Sequence, residues 1–275
     1  MNHTPTRSFA QAVRERYQQL IPRTQHLPPS GSRPLTVAGR VSGWITPKAT
    51  RVITGLPGIR VEPEAVHITA VPSKRLSINT VMGQVAAALS QAGCLRGWRD
   101  ELLDVIGEGR NLAVLERAAL RPLGLLTRAV HLNAWTPDGK FWVARRALTK
   151  STDPDMWDTL VGGLACAGET LDESLLRESN EEAGLVPADL ENRSELRVIL
   201  RMHRLLPEGY QVEDVLVSEC VLAETVTPKN LDGEVSDIQA IGLDDLWAMV
   251  QAGDFTLEAE LVVLEGLLGR LPQGV

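Results

Sequence analysis

The sequence predicts an α/β protein, an α/β/α sandwich preceded by a smaller N-terminal α/β domain. Segments of strand-like alternation are interleaved with segments of helical period through most of the chain. One helix, over Leu171–Ala183, can be read at both of its ends. Charge is also divided unevenly: residues 1–121 hold 16 Lys and Arg against 8 Asp and Glu, whereas residues 122–275 hold 12 against 27. These observations divide the chain into an N-terminal helix and linker (1–33), a small α/β domain (34–125) and a larger domain (126–275).

In chain order, residues 9–20 read as an amphipathic helix, followed by a linker rich in turn formers at Pro22, Pro28, Pro29 and Gly31. Short strands are expected at 35–37, 41–45 and 65–70, then a helix over 80–91. Arg96, Arg99, Arg110, Arg117 and Arg121 follow. Strands at 129–135 and 140–146 flank Thr136-Pro-Asp-Gly139, a sequence suited to a hairpin turn. Further strands are expected at 197–203, 212–222 and 238–241, and helices over Leu243–Ala252 and 257–271.

The helix over Leu171–Ala183 carries the chemistry. Thr170 followed by Glu173 is a capping-box pattern, and Gly184 stands where a left-handed residue ends a helix. Helical spacing puts Leu171, Leu175, Ser179 and Ala183 on the buried stripe, with Glu178, Glu181 and Glu182 on the flank at the rim of the core. Carboxylates at these spacings repel one another, so a cation is expected among them. Hard divalent ions take oxygen ligands, and Mg²⁺ is usually held by a few carboxylates together with substrate phosphate. Glu178, Glu181 and Glu182 are therefore the candidate metal ligands, and Arg177, one turn before Glu181, would orient it with Glu169 as a second partner. Arg145, Arg146 and Lys150 are candidates for gripping a phosphate, with a solvated strand end as the alternative. Gly162 and Gly163 permit close backbone approach before the helix. Trp135, Trp142 and Trp157 could stack on a ring, but core packing is favoured for each.

The spacing Gly163, five residues, Glu169, seven residues, then Arg177-Glu178 and Glu181-Glu182 with Gly184-Leu185 resembles the motif of the Nudix hydrolases. Ser179 departs from it, standing where a bulky aliphatic is usual. The resemblance implies the α/β/α sandwich, Mg²⁺ (or Mn²⁺) as cofactor and a small-molecule diphosphate as substrate. It also implies a further acid from a later loop as ligand or base, for which Glu234 is the better candidate and Glu213 the weaker. Trp157-Asp-Thr-Leu-Val-Gly-Gly163, Asp232-Gly-Glu234-Val235, Gly39-Arg-Val-Ser-Gly-Trp44 and Glu116-Arg-Ala-Ala are similar to one subfamily with an extra N-terminal domain, which includes the Nudix portion of fungal thiamine pyrophosphokinase. That similarity implies oxidised thiamine diphosphate, cleaved to the monophosphate. ADP-ribose, nucleotide sugars or nucleoside triphosphates remain alternative substrates, and a non-catalytic binding or regulatory module is the alternative to an enzyme.

The rest of the sequence narrows the classes. With 275 residues, 44% hydrophobic and 23% charged, the composition is ordinary for a globular protein. No apolar run reaches the length of a membrane span, and the opening Met1-Asn-His-Thr-Pro-Thr-Arg is unlike a secretory signal, so a cytoplasmic location is expected. Cys94, Cys166 and Cys220 form no CxxC pair, which argues against a zinc site or a disulfide framework. Cys166 reads as a small loop residue rather than a reactive thiol, and His131 as a structural residue rather than a ligand. A pI near 5.4 opposes a general electrostatic grip on nucleic acid, and the N-terminal arginines are explained at least as well by a domain packed over the site mouth. A homodimer is left open by the sequence.

Overall fold

The computed structural model describes residues 6–150 and 152–270. Met1 to Pro5 of the polar opening, and Leu271 at the end of the last expected helix, lie outside the described residues. Helix α1 (Thr6–Leu20) runs into a 3₁₀ turn at Ile21–Thr24. Strands β1 (Arg33–Val37) and β2 (Arg40–Ile45) form a hairpin. Helix α2 (Pro47–Ile53) follows, with Thr46 as its N-cap, then β3 (Ile59–Val61), β4 (Val66–Ile68) and helix α3 (Ile78–Gln91), capped by Ser77. The four strands lie in the order β2-β1-β4-β3, with β1 and β4 parallel.

A separate hairpin of β5 (Leu102–Gly107) and β6 (Arg110–Glu116) packs beside this sheet, and the short helix α4 (Leu120–Leu123) closes the unit. Leu35, Ile45, Ile68, Val85, Leu103, Leu115 and Leu123 share one core. The sequence reading missed α2, β3 and the β5–β6 hairpin. That hairpin turns at Glu108-Gly109, both with positive φ (50° and 75°), and glutamate is not among the residues that announce such a turn.

The larger sheet has seven strands: β7 (Leu126–Trp135), β8 (Phe141–Arg146), β9 (Trp157–Thr159), β10 (Val161–Leu164), β11 (Arg197–Leu206), β12 (Gly209–Val221) and β13 (Val235–Ile241). Its main path is β11-β12-β7-β8-β13, with β10 on β7 and β9 on β8. Strands β7 and β12 run parallel from Leu126↔Val212 to Trp135↔Val221. Successive residues of a strand face opposite sides. On one side Val130, Leu132 and Ala134 pack with Leu175, Ala183 and Leu185 of helix α5 (Leu171–Ala183) and the turn after it. On the other, Trp135, Val215 and Val217 pack with helices α6 (Leu243–Ala252) and α7 (Leu257–Arg270). The sandwich is thus α5, sheet, then α6 with α7.

Helix α1 joins the α7 side. Val13 and Leu20 are buried in that core, and Arg16 pairs with Glu260 at 2.6 Å. The linker after it straps the β11–β12 hairpin: His26 N–H donates to the His203 carbonyl at 3.0 Å and the Tyr210 hydroxyl to the His26 carbonyl at 2.8 Å.

Gly124, just before β7, is in a left-handed conformation (φ 57°), where a Cβ would lie 2.3 Å from the Trp44 carbonyl oxygen of β2. Gly124→Ala combines backbone strain with backbone overlap, so it should lower stability by about 2 kcal/mol or more. Urea unfolding measures this, and an unchanged midpoint would contradict the close approach.

Candidate active site

Helix α5 starts and stops where its sequence indicates. Thr170 Oγ1 accepts from the Glu173 N–H at 3.2 Å, Glu173 Oε2 accepts from the Thr170 N–H at 2.8 Å, and Gly184 (φ 64°) donates its N–H to the Asn180 carbonyl at 2.9 Å. The helix lies against β10, and two glycines set the distance. A Cβ at Gly163 would fall 2.0 Å from the Glu178 carboxyl carbon, and one at Gly162 would fall 2.9 Å from His131 Nδ1. With no side chains there, the Glu178 carboxylate reaches the strand backbone and the Gly162 N–H donates to Glu182 Oε2 at 2.8 Å.

Arg177 ties the acidic cluster together. Its Nε donates to Glu169 Oε1 at 2.9 Å, its Nη1 to Glu178 at 2.7 Å and Glu181 at 3.1 Å, and its Nη2 to the Leu164 carbonyl at 3.1 Å. Hydrogen bonding to Arg177 holds the Glu169 carboxyl below the usual range. The three candidate ligands are graded in burial: Glu182 is 6% exposed as a residue, whereas the side chains of Glu178 and Glu181 are 13% and 44% exposed. The expectation of three acids together at the rim is corrected here, because the glycine approach draws Glu182 into the core. Burial raises the Glu178 pKa against the pull of Arg177. It pushes Glu182 up to about 7, opposed by Lys150 and the Gly162 N–H and reinforced by Glu178. Among the described residues no three His, Cys, Asp or Glu side chains converge as a ready cation cage. The chemistry of the donor set nonetheless suits a hard divalent ion, since it offers only carboxylate oxygens and burial disfavours the charged form of Glu178 and Glu182, a cost that a cation would relieve.

The four groups proposed for substrate contact are placed differently. Gly163 forms the wall between Glu178 and the adjoining cavity. Arg146 bonds Asp158 at 2.8 Å and the carbonyls of Thr152 and Asp153, and it lines the cavity. Arg145, next along β8, points to the other side, where it bonds Asp155 at 2.9 Å and lies 5.8 Å from the Trp157 ring centre. Strand alternation prevents both arginines from serving one site. Lys150 pairs with Glu234 and lies 3.5 Å from Glu182 Oε1, so it bridges a candidate ligand and the candidate base. The Glu234 side chain is 55% exposed. Trp135, Trp142 and Trp157 pack against the cores, and none lines the cavity.

That cavity, of about 330 Å³, lies between the N-terminal unit and the sheet. The first contributes Arg96, Arg117 and Arg121, the second Arg146 and Arg204. Arg99 lines a smaller recess beside it. Acids and a histidine face these arginines. His131 lies 3.0 Å from Thr159 Oγ1 and 2.9 Å from Glu258. Burial favours the neutral ring, but the Glu258 carboxylate outweighs it and raises the His131 pKa. Glu213 accepts from Thr127 at 2.6 Å and from Gln211 at 2.5 Å, and burial together with Glu258 pushes it up to about 7. The sequence reading had His131 as structural and did not single out Gln211, Glu208, Arg204 or Glu258. A signal existed in Gln211 and Glu213, which alternate on the same strand face as the apolar Val215 and Val217.

Residues 125–260 match the family model described as the NUDIX domain. This stretch of the chain is similar to Nudix domains. Among curated relatives, the uncharacterized protein YJR142W of Saccharomyces cerevisiae is 28% identical over 69% of this chain and 61% of its own length. Nudix hydrolase 20, chloroplastic, of Arabidopsis thaliana is 30% identical over 68% of this chain and 51% of its own. The chain therefore spans about half to three-fifths of the relatives it matches. The crystal structure of DR0079 from Deinococcus radiodurans aligns with a TM-score of 0.44 and 25% identity, over 63% of this chain and all of that one. The match begins at the last residue before β7 and takes in β7 to β13, α5, α6 and the first turn of α7.

The bond between Glu169 and Arg177 gives a pH prediction. A carboxyl with a depressed folded-state pKa contributes stability that is full above its unfolded pKa and is lost as pH falls through the folded value. Melting temperatures of the native chain and Glu169→Gln should therefore differ most near neutrality and converge in acid. A constant difference across that range would show that the carboxylate charge is not what stabilises the loop.

Proposed function

We propose that the chain is a divalent-metal-dependent hydrolase of a small-molecule diphosphate, with Mg²⁺ or Mn²⁺ as cofactor. The observation that carries this is the glycine pair of β10, which presents Glu178 and Glu182 on one side and walls an arginine-lined cavity on the other. A diphosphate seated among those arginines would lie one strand's thickness from the acids, whose repulsion a cation held by them would offset. Glu178, Glu181 and Glu182 would hold that cation. The chemistry it supplies when bound is neutralisation of the diphosphate charge and activation of water.

The chain's own residues do the positioning. Arg177 fixes Glu178 and Glu181 from one side, leaving their remaining oxygens for the ion. Arg146, held by Asp158, offers a fixed guanidinium to phosphate oxygens. Lys150 balances Glu182 and Glu234 until substrate enters. Glu234, the more exposed of the two candidate bases, takes the proton of the attacking water, with Glu213 on the cavity floor as the second candidate. Arg145 is left with a structural role beside Trp157.

For the substrate we infer a thiamine-like diphosphate, with oxidised thiamine diphosphate cleaved to the monophosphate. The support is the similarity of Gly39-Arg-Val-Ser-Gly-Trp44, Glu116-Arg-Ala-Ala and Asp232-Gly-Glu234-Val235 to the subfamily with an extra N-terminal domain. That the N-terminal unit lines the cavity agrees with a part in choosing the substrate. We take residues 34–125 and 126–275 as the two domains, with residues 1–33 as an N-terminal helix and linker.

Mg²⁺-dependent monophosphate release should be measured on thiamine diphosphate, its oxo and oxy analogues, ADP-ribose, nucleotide sugars and nucleoside triphosphates. Glu181→Gln and Glu182→Gln are each expected to lower turnover by a factor of at least about 100 while the urea midpoint stays near that of the native chain. Full activity in both would defeat the ligand assignment. Turnover of nucleotides alone would keep the chemistry and discard the thiamine substrate.

A further inference from the structure

The arginines around the cavity differ in how much of their donor capacity the protein already uses. Arg146 is engaged through all three nitrogens: Nε donates to the Asp153 carbonyl at 3.1 Å, Nη1 to Asp158 at 2.8 Å and Nη2 to the Thr152 carbonyl at 2.9 Å. Arg117, which the N-terminal unit places on the same lining, donates through Nη1 to Glu101 Oε2 at 2.7 Å. Among the described residues its side chain makes no second hydrogen bond. A guanidinium carries about five N–H donors in a rigid fork, so most of those of Arg117 remain open, on a side chain that is 41% exposed.

The position of Arg117 is set from two sides. Glu116, 3% exposed, accepts from the N–H groups of Arg99 at 2.8 Å and Ala118 at 3.3 Å, which fixes the turn that carries Arg117. The Arg117 N–H donates to the Glu101 carbonyl at 2.8 Å, so Glu101 holds both its backbone and its side chain. Glu101 in turn lies against the loop after β10: the Cys166 thiol reaches its Oε1 at 3.4 Å, and the Ala167 N–H donates to the adjacent Leu102 carbonyl at 2.8 Å. Cys166 Sγ also accepts from Arg177 Nη2 at 3.4 Å. A continuous run of contacts thus leads from Arg177, which spaces the acidic cluster, to Arg117. Arg117 lines the cavity with Gly163, the residue against which the Glu178 carboxylate lies, and shares a smaller recess with Leu164. Its charge is felt at that carboxylate, where it opposes the effect of burial.

We propose that Arg117 is a substrate-binding residue of the candidate active site, donating to an oxygen of the diphosphate on the Glu178 side of the cavity, and that Glu101 is its positioning residue. The proposal rests on the reading of this site as that of a diphosphate hydrolase. Open N–H donors in a planar fork suit phosphate oxygens. Glu101 limits the directions the guanidinium can take, so less freedom is lost when phosphate binds. The N-terminal unit is then part of the site itself and supplies a contact that the larger domain lacks.

Steady-state kinetics with Mg²⁺, on the diphosphate that the native full chain turns over best, are compared for Arg117→Ala, Arg117→Lys, Glu101→Ala and the double alanine variant. Arg110→Ala, at the exposed start of β6, controls for the loss of one positive charge from the same unit. Melting temperature checks folding. Arg117→Ala should raise KM by about tenfold or more, as expected for a lost hydrogen bond between charged groups, with a smaller change in kcat. Arg117→Lys should recover part of the loss, because it keeps the charge without the fork. Glu101→Ala should raise KM by about threefold or more and add nothing in the Arg117→Ala background, since its effect passes through Arg117. Additive losses would overturn the positioning role. A KM for Arg117→Ala no higher than that for Arg110→Ala would overturn the substrate contact and leave the hydrolase reading intact. If no diphosphate is turned over, calorimetric titration with methylenediphosphonate and Mg²⁺ decides separately. Binding that Arg117→Ala weakens by about tenfold and Arg110→Ala does not would uphold the contact while the hydrolase reading fails; binding that both leave alike, or none by the native chain, would overturn the contact as well. Should Arg117→Ala fail to fold, Arg117→Lys and Glu101→Ala decide, and native KM in both would overturn the proposal.

Discussion

The Arg177 guanidinium is the contact on which the arrangement of the site depends. It is bonded at once to Glu169 in the loop before α5, to Glu178 and Glu181 on the helix and to the Leu164 carbonyl at the end of β10. One planar group with several donors in fixed directions can join a strand, a loop and a helix, as a lysine ammonium on a flexible stem cannot. Glu169 is drawn into its ionised form by this contact, and Ser174 donates a further bond to it at 2.8 Å. The acids that would hold a cation are thus spaced by a cation that belongs to the chain.

The second constraint is steric. At Gly162 and Gly163 a strand of the large sheet meets helix α5 on one side and the His131 ring on the other, and any side chain would displace one of them. Electrostatic consequences follow. Glu182 is buried deeply enough to lift its pKa to about 7, and Glu178 is lifted in the same direction. The same strand carries the wall of the cavity, so the acidic cluster and the arginine-lined space are divided by a backbone with no side chains on it.

Much of the fold was legible because it rests on local signals. The capping box and Gly184 fixed α5, the Pro-Asp-Gly turn placed β7 and β8, and helical period gave α6 and α7. The β5–β6 hairpin was lost because Glu108 occupies a positive-φ turn position that sequence rules reserve for other residues. Strands β9 and β10 were lost because each is short and β10 holds two glycines, which lower strand propensity and are kept for close approach. The family motif was read residue by residue, yet the different burial of Glu178, Glu181 and Glu182 was not, since helical spacing alone puts them on one flank.

The sequence by itself determined the α5 helix with its ends, the set of carboxylates and the arginine beside them, because capping, helical period and charge repulsion act over a few residues. Tertiary structure alone decided which of those carboxylates is buried, that Arg146 faces the cavity while Arg145 does not, and that Arg96, Arg117 and Arg121 share a space with Gln211, Glu213 and Glu258. Those outcomes depend on strand register and on the packing of segments about a hundred residues apart. No local rule in the chain encodes which distant side chain will remove water from another.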